Sequence, residues 1–185
     1  AYQASGDYPR GEASFLSIIE ALDGARARER FGLAGFPVVI CRCWLAWCLA
    51  ERGQFEEAVA HGREAIRLAE ALDHRFSLAW ATWGLGHVAL IKGDAHEATP
   101  LLERSRALSV EEGHLVWPHF HAWAFGQLRA LSGQAAEAVS LLQESLRIFD
   151  VMGLGVWQSL VLVRLGEACV LAGRLDEARA AGERG

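Results

Sequence analysis

Four cysteines and seven histidines are among the side chains in this sequence that could ligate a metal ion or act as nucleophiles. Three of the cysteines, Cys41, Cys43 and Cys48, have the spacing C-x-C-x4-C, and Cys169 lies far from them. Structural zinc sites use paired C-x2-C ligands, and small secreted proteins use an evenly spaced disulfide framework. The spacing of these four cysteines matches neither the zinc site nor the disulfide framework. We therefore expect buried free thiols.

Other enzymatic motifs fail at individual positions. His96 and Glu97 begin an H-E-x-x-H pattern, but Pro100 stands where the second zinc-binding histidine is required. A phosphate-binding Walker loop needs a Gly-Lys pair, and the only lysine, Lys92, follows an isoleucine. The sequence therefore predicts no catalytic residues, no cofactor and no metal ion.

Composition limits the partners and the location. The 185 residues are 52% hydrophobic and 22% charged, and the net charge is −5. Nucleic acids and anionic membrane surfaces both select a basic protein face, so neither is expected as a partner. The chain has no uncharged apolar stretch long enough to span a membrane and no basic, apolar N-terminal leader. We therefore expect no membrane span and a cytoplasmic location.

An internal repeat organises the whole chain. The segments ERGQFEEA (51–58), IKGDAHEA (91–98), LSGQAAEA (131–138) and LAGRLDEA (171–178) align without gaps and recur at one constant interval. Each contains a glycine, then a glutamate four residues later, then an alanine. A further small residue lies seven positions before each glycine, at Ala46, Gly86, Gly126 and Gly166.

The repeated residues predict helix hairpins. Glycine lets the chain turn sharply between two helices. A glutamate in the first turn of the following helix is stabilised by the helix dipole. The small residues let the two helices approach, so larger side chains at Gly86 or Ala98 should push them apart.

This pattern resembles the tetratricopeptide repeat, which has a small residue at position 8, glycine at 15, an aromatic near 17 and alanine at 20. Phe55 and Leu175 occupy position 17, whereas Ala95 and Ala135 depart from the aromatic preference. The resemblance implies an all-α fold, an α-α superhelix of antiparallel hairpins. The period of this chain, about 40 residues, exceeds the usual period of about 34 residues. Because the six extra residues fall between Ala58 and Gly86, we expect both helices to be longer at their far ends.

The repeat predicts where the helices lie. First helices are expected at 37–51, 76–91, 116–131 and 156–171, and second helices at 55–72, 95–112, 135–152 and from 175 onward. An earlier second-type helix is expected at 10–23, followed by a loop or a short extra turn between Gly24 and Pro37. The predicted organisation is one array over 1–185: a partial unit and loop at 1–35, full units at 36–75, 76–115 and 116–155, and a truncated unit at 156–185. We expect it to be a fragment of a longer array.

The resemblance also implies a binding groove, because first helices of such repeats line an inner surface through positions 2, 5, 9, 12 and 13. The candidate groove residues at positions 2, 5 and 9 are Trp47, Trp80, Trp83, His87, Phe120, Trp123, Gln127 and Glu167. No lysine or arginine occupies these positions, so a clamp for a C-terminal carboxylate is not expected. The tryptophans either bind a ligand or simply fill gaps between long neighbouring helices.

A wider resemblance concerns residues 29–70 and 74–94, the second of which reads HRFSLAWATWGLGHVALIKGD. They are similar to the C-terminal repeat region of large bacterial proteins that join an adenylate/guanylate cyclase domain to an AAA-type ATPase module. This implies a non-catalytic regulatory arm of a signalling protein that binds a protein or peptide segment. Two alternatives remain: a sensor for a small molecule or short peptide, and a self-assembly module that associates through exposed repeat ends.

Overall fold

The structure, a computed structural model, describes residues 2–22, 24–111, 117–153 and 155–184. In those residues all regular secondary structure is helical. The helices are α1 (Tyr8–Ala21), α2 (Pro37–Glu51), α3 (Phe55–Ala71), α4 (Arg75–Lys92), α5 (Ala95–Glu111), α6 (Trp117–Leu131), α7 (Ala135–Met152), α8 (Gln158–Leu171) and α9 (Leu175–Arg184). Short 3-10 turns cover Gln3–Ser5, Gly24–Arg28 and Gly155–Trp157.

The observed helices confirm the hairpin prediction to within about two residues at most ends. We name the hairpins α2–α3, α4–α5, α6–α7 and α8–α9 hairpins 1 to 4. Two helices begin two residues away from the expected position. Helix α1 begins at Tyr8 rather than at residue 10, because the Asp7 side chain accepts a hydrogen bond from the backbone N–H of Arg10 and caps the helix earlier. Helix α8 begins at Gln158 rather than at residue 156, because a 3-10 turn covers Gly155–Trp157. Residues 23, 112 and 116, at the edges of predicted helices, lie outside the described residues.

The repeated glycines form the turns between the two helices of each hairpin, as their position in the sequence predicts. Gly53, Gly93, Gly133 and Gly173 all have a left-handed backbone, with φ between 73° and 82°. The glutamates that follow, among them Glu57 and Glu97, lie in the first turn of the next helix. In hairpin 2 the backbone N–H of Glu97 also donates to the Asp94 carboxylate at 2.9 Å.

The small residues lie where the helices of a hairpin cross. At Gly86 an added Cβ would come within 2.9 Å of Leu102, and at Gly126 within 2.6 Å of Leu142. The extra six residues extend the helices, as expected, because α3 runs to Ala71 and α4 already begins at Arg75.

The chain divides into two compact bodies, Ala1–His114 and Leu115–Gly185. In the N-terminal body the core lies between α1 and hairpins 1 and 2, around Leu45, Ala58 and Val88. In the C-terminal body α7 packs against both α6 and α8, and α8 packs against α9.

Candidate functional site

Five aromatic side chains form a continuous cluster on the first helices of hairpins 1 and 2. We call this cluster the aromatic seam; its members are Trp44, Trp47, Trp80, Trp83 and His87. The ring of Trp47 stacks on Trp44 with centroids 5.4 Å apart and meets His87 edge-on at 4.3 Å. Trp83 lies parallel to His87 at 5.1 Å. Such ring pairs add to the stability that their buried area provides and hold the side chains in place.

The seam exists because α2 and α4 approach closely. Gly84 faces Cys43, and a Cβ added at Gly84 would lie 3.0 Å from the Cβ of Cys43. A glycine at this crossing brings the two helix axes near enough for rings from both helices to interdigitate. The Nε1 of Trp47 then donates to the carboxylate of Glu51 at 2.9 Å, which satisfies the indole at the edge of the cluster.

Burial differs sharply among the candidate groove residues of the N-terminal body. Trp47, Trp83 and His87 are buried, with only 1–2% of each residue exposed. Trp80 is half-buried. Positions 5 and 9 therefore pack between neighbouring first helices, and the solvent-facing part of the seam consists of Trp80 and Trp44.

Trp44 is a residue that the repeat positions did not single out. It is half-buried, and its ring meets Trp80 at 5.4 Å with the planes inclined by 63°. It occupies position 6 of its repeat, where the later hairpins have Gly84, Ala124 and Arg164. The available signal was its spacing of three residues from Trp47, which places both on one side of a helix.

The candidate residues of the C-terminal body are arranged differently. Phe120 and Trp123 are buried, and the ring of Phe120 contacts Trp117, Phe149 and Trp157 at 5.8–6.2 Å. Gln127 is buried as well, and its Oε1 accepts no hydrogen bond among the described residues. Glu167 is exposed and pairs with Arg164 at 3.0 Å.

The thiols are free and shielded, as expected from their spacing. Cys43, Cys48 and Cys169 are buried, and Cys41 is half-buried. Burial raises the pKa of Cys41 to about 11 and that of Cys48 to about 12, and it raises the pKa of Cys43 as well. Thiols in this state are poor nucleophiles, because the thiolate is the reactive form.

Among the described residues, no group of three His, Cys, Asp or Glu side chains could hold a metal ion. No helix among them is long and apolar enough to cross a membrane. An open cleft of about 840 Å³ runs beside the first turn of α3, with Glu56, Glu57, Arg63, Lys92 and Glu97 on its walls.

Comparison with known proteins supports the helical-repeat fold. Residues 40–109 match the family model described as tetratricopeptide repeat. No curated protein matches the chain.

Solved structures cover nearly all of it. One is a putative kinesin light chain from Podosopora anserina with nearly identical TPR-like repeats, which is 18% identical to this chain. The match covers 99% of this chain and 87% of that protein, with a TM-score of 0.58. A Rap protein complexed with competence and sporulation factor is 16% identical, with a TM-score of 0.71. The match covers 99% of this chain but only 59% of the Rap protein.

At these identities the structures show the fold alone. They agree with the family match, with the left-handed glycine turns and with the hairpins that recur at a constant interval. The chain is therefore an all-α protein built of antiparallel helix hairpins, and it contains a tetratricopeptide-repeat region.

Proposed function

We propose that this chain is a non-catalytic protein-interaction module that holds a partner segment against the solvent-facing edge of the aromatic seam. The observation that carries the proposal is the contact between Trp44 and Trp80, two half-buried tryptophans 5.4 Å apart on neighbouring first helices. Tryptophan is among the residues that most often dominate binding energy at protein interfaces. Here both rings rest on the buried members of the seam, so little conformational entropy is lost when a partner binds.

The predicted groove residues have two roles in this proposal. The buried ones, Trp47, Trp83 and His87, hold the half-buried rings of Trp44 and Trp80 in position, and Trp80 itself contacts the partner. Phe120, Trp123 and Gln127 support the equivalent face of the C-terminal body, and Glu167 offers a charged contact there. The edge formed by Trp44 and Trp80 suits a partner segment with large apolar side chains.

Two kinds of comparison support an interaction role. The tetratricopeptide-repeat region covers α2 to α5 almost completely, and these are the helices that carry the seam and its supports. The Rap protein of similar fold was crystallised with competence and sporulation factor. We further propose, from the sequence resemblance of residues 29–70 and 74–94 alone, that the module is a cytoplasmic regulatory arm of a bacterial signalling protein with catalytic domains elsewhere.

The proposal is tested by selecting binding segments from a random peptide library on the intact chain and measuring their affinities by calorimetry. Trp44→Ala and Trp80→Ala should each weaken binding by tenfold or more, on the order of 1.4 kcal/mol. The matched control is Phe31→Ala, which removes a 53% exposed aromatic side chain that lies outside the seam and its supports. It should leave the affinity unchanged.

Two results would contradict the proposal. One is equal affinity for the wild type and both seam variants. The other is a panel of small metabolites that raises the melting temperature through Trp44 and Trp80 while no peptide is selected. The second result would assign the seam to a small-molecule sensor.

A further inference from the structure

The loop between α1 and α2 presents apolar side chains next to a cluster of arginines, and it lies outside the aromatic seam. We call residues 26–33 the basic loop. Phe31 and Leu33 are each 53% exposed, and Arg26, Arg28 and Arg30 just before them are exposed as well. Two exposed apolar side chains would need no explanation by themselves. The backbone that carries them does.

That backbone is strained at Phe31. The N–H of Leu33 donates to the carbonyl oxygen of Arg30 at 2.9 Å, which closes a tight turn over Phe31 and Gly32. Both central residues have a positive φ, 50° at Phe31 and 79° at Gly32, a combination that favours glycine, asparagine and aspartate. A phenylalanine in this conformation costs stability, and its exposed ring regains little of that cost by burial. Strain on a bulky residue at an exposed turn points to a role outside the fold.

The start of hairpin 2 holds the loop in place. The backbone N–H of Phe36 donates to Oγ of Ser77 at 3.0 Å, and Nη1 of Arg30 lies 3.2 Å from Nε2 of His74. Gly35 fits so closely against α4 that an added Cβ would lie 2.9 Å from an aromatic ring of that helix. The turn at the tip of the loop is therefore displayed from a fixed base.

The loop is an insertion relative to the repeat. Gly6 has a φ of 77° and precedes α1 by two residues, as Gly53 precedes α3. Gly6 and Gly53 are 47 positions apart, seven more than the 40 that separate Gly53 from Gly93. Neighbouring hairpins of a repeat array cover the positions that the repeats share, and the additional residues lie outside that register. A missing neighbour of the repeat therefore does not explain the exposure of the loop.

The charges of the loop select the class of partner. Residues 26–30 hold three arginines and one glutamate, a net charge of +2 in a chain whose net charge is −5. Their backbone spans at most about 14 Å. None of these arginines forms an ion pair with a carboxylate of the described ranges. Arginine suits carboxylates because its paired N–H donors match their two oxygens. An extended polyanion would also meet the acidic remainder of the chain, whereas a short acidic segment would contact the loop alone.

We propose that the basic loop is a second interaction site, which binds an acidic segment of a partner protein that also carries large apolar side chains. Carboxylates of the segment pair with Arg26, Arg28 and Arg30, and an apolar side chain packs on Phe31 and Leu33. The strained turn keeps the phenylalanine ring at the tip of the loop, where a partner reaches it. The site goes beyond the seam, which holds a different segment.

Peptide selection on a chain with a disabled seam tests this site separately. The target is the full chain with Trp44→Ala and Trp80→Ala, and the probe is a random peptide library. The selected peptides should be enriched in aspartate and glutamate interspersed with phenylalanine, leucine or tryptophan. Their affinity for the wild type, measured by calorimetry, should fall as salt is raised, because exposed ion pairs are screened.

Two variants locate the site. Arg26→Gln/Arg28→Gln should weaken binding of the selected peptides by roughly tenfold or more. Phe31→Asn should weaken it as well, yet raise the melting temperature by up to about 4 °C, because asparagine tolerates a left-handed backbone. A purely structural role would lower both quantities together. The matched control Arg63→Gln/Arg106→Gln removes the same charge from exposed arginines of α3 and α5 and should leave the affinity unchanged.

Four results would overturn the proposal. The first is that no peptide is selected or that the selected peptides lack acidic residues, and the second is equal affinity for the wild type and Arg26→Gln/Arg28→Gln. The third is a lower melting temperature of Phe31→Asn, which would show that this side chain serves the fold. The fourth is binding of phosphatidylserine vesicles or a single-stranded oligonucleotide by the loop while no peptide is selected. None of these results bears on the seam, because peptides held by Trp44 and Trp80 should bind Phe31→Ala normally.

Discussion

Alanine at Gly126 and alanine at Gly166 should change the stability of the C-terminal body in opposite directions. Both glycines occupy position 8 of their repeat, both lie inside a first helix, and both face the second helix of their own hairpin. They differ in the space available. A Cβ at Gly126 would lie 2.6 Å from Cγ of Leu142, whereas at Gly166 the nearest atom would be the carbonyl oxygen of Ala178 at 3.7 Å.

The magnitudes follow from two competing effects. Replacing glycine by alanine inside a helix stabilises it by about 1 kcal/mol. Forcing an extra methyl group into a packed core costs about 1–3 kcal/mol. Because Leu142 is fully buried and the clash involves its branching carbon, the steric cost at Gly126 should be in the upper part of that range. We expect Gly126→Ala to lose roughly 1–2 kcal/mol and Gly166→Ala to gain up to about 1 kcal/mol.

Urea and thermal unfolding followed by circular dichroism measure this difference. A gap of about 2 kcal/mol corresponds to roughly 4–8 °C in the melting temperature of a chain of this size. Adding Leu142→Ala as a second substitution should abolish the penalty of Gly126→Ala, because the clashing carbon is removed. Equal stability of Gly126→Ala and Gly166→Ala would refute the reasoning, as would a penalty that persists in the Leu142→Ala background.

Three further predictions concern the turns, the thiols and a histidine. Gly133→Ala should destabilise the chain by about 1–2 kcal/mol, because φ there is 77° and an L side chain is strained in that region, which urea unfolding would detect. Native Cys41 and Cys48 should react with a thiol reagent at pH 8 at least about a hundredfold more slowly than in the urea-unfolded chain, because their raised pKa values leave little thiolate. Burial lowers the pKa of His61, and the nearby Arg42 guanidinium lowers it further. When the pH falls through about 6.5, His61 is therefore protonated more readily in the unfolded chain than in the folded chain, and the folded chain loses stability. His61→Gln should lose less stability than the wild type between pH 7.5 and 5.5.

The first of these predictions has a control variant, and the other two each have a result that would contradict them. Gly155, which has no neighbour within 4 Å of an added Cβ and no left-handed backbone, should tolerate alanine where Gly133 does not. Rapid labelling of the native thiols at pH 8 would contradict the shielding. Identical acid sensitivity of His61→Gln and the wild type would show that His61 is not the source of this pH dependence.

The sequence predicted the fold in detail because the repeat specifies local structure four times over. Left-handed glycines such as Gly93, acidic first turns such as that at Glu97, and small residues such as Gly86 each express a local requirement of a helix hairpin, and each recurs at the same interval. Their agreement across the repeats identified the hairpins, the turns and the longer helices. The same register identified Trp47, Trp80, Trp83 and His87 as neighbours on first helices.

The exposure of those side chains depended on how the helices pack. Periodicity assigns a residue to a face of its helix, but it does not say whether a neighbouring helix covers that face. Gly84 lets α4 approach α2 closely enough to bury Trp47 and Trp83, and this leaves Trp44 and Trp80 as the solvent-facing edge. In hairpin 4 the same repeat position carries Val163, which is exposed because no helix among the described residues lies over it. The sequence by itself determined the hairpins, and only the packing between them decided which of their faces are open to a partner.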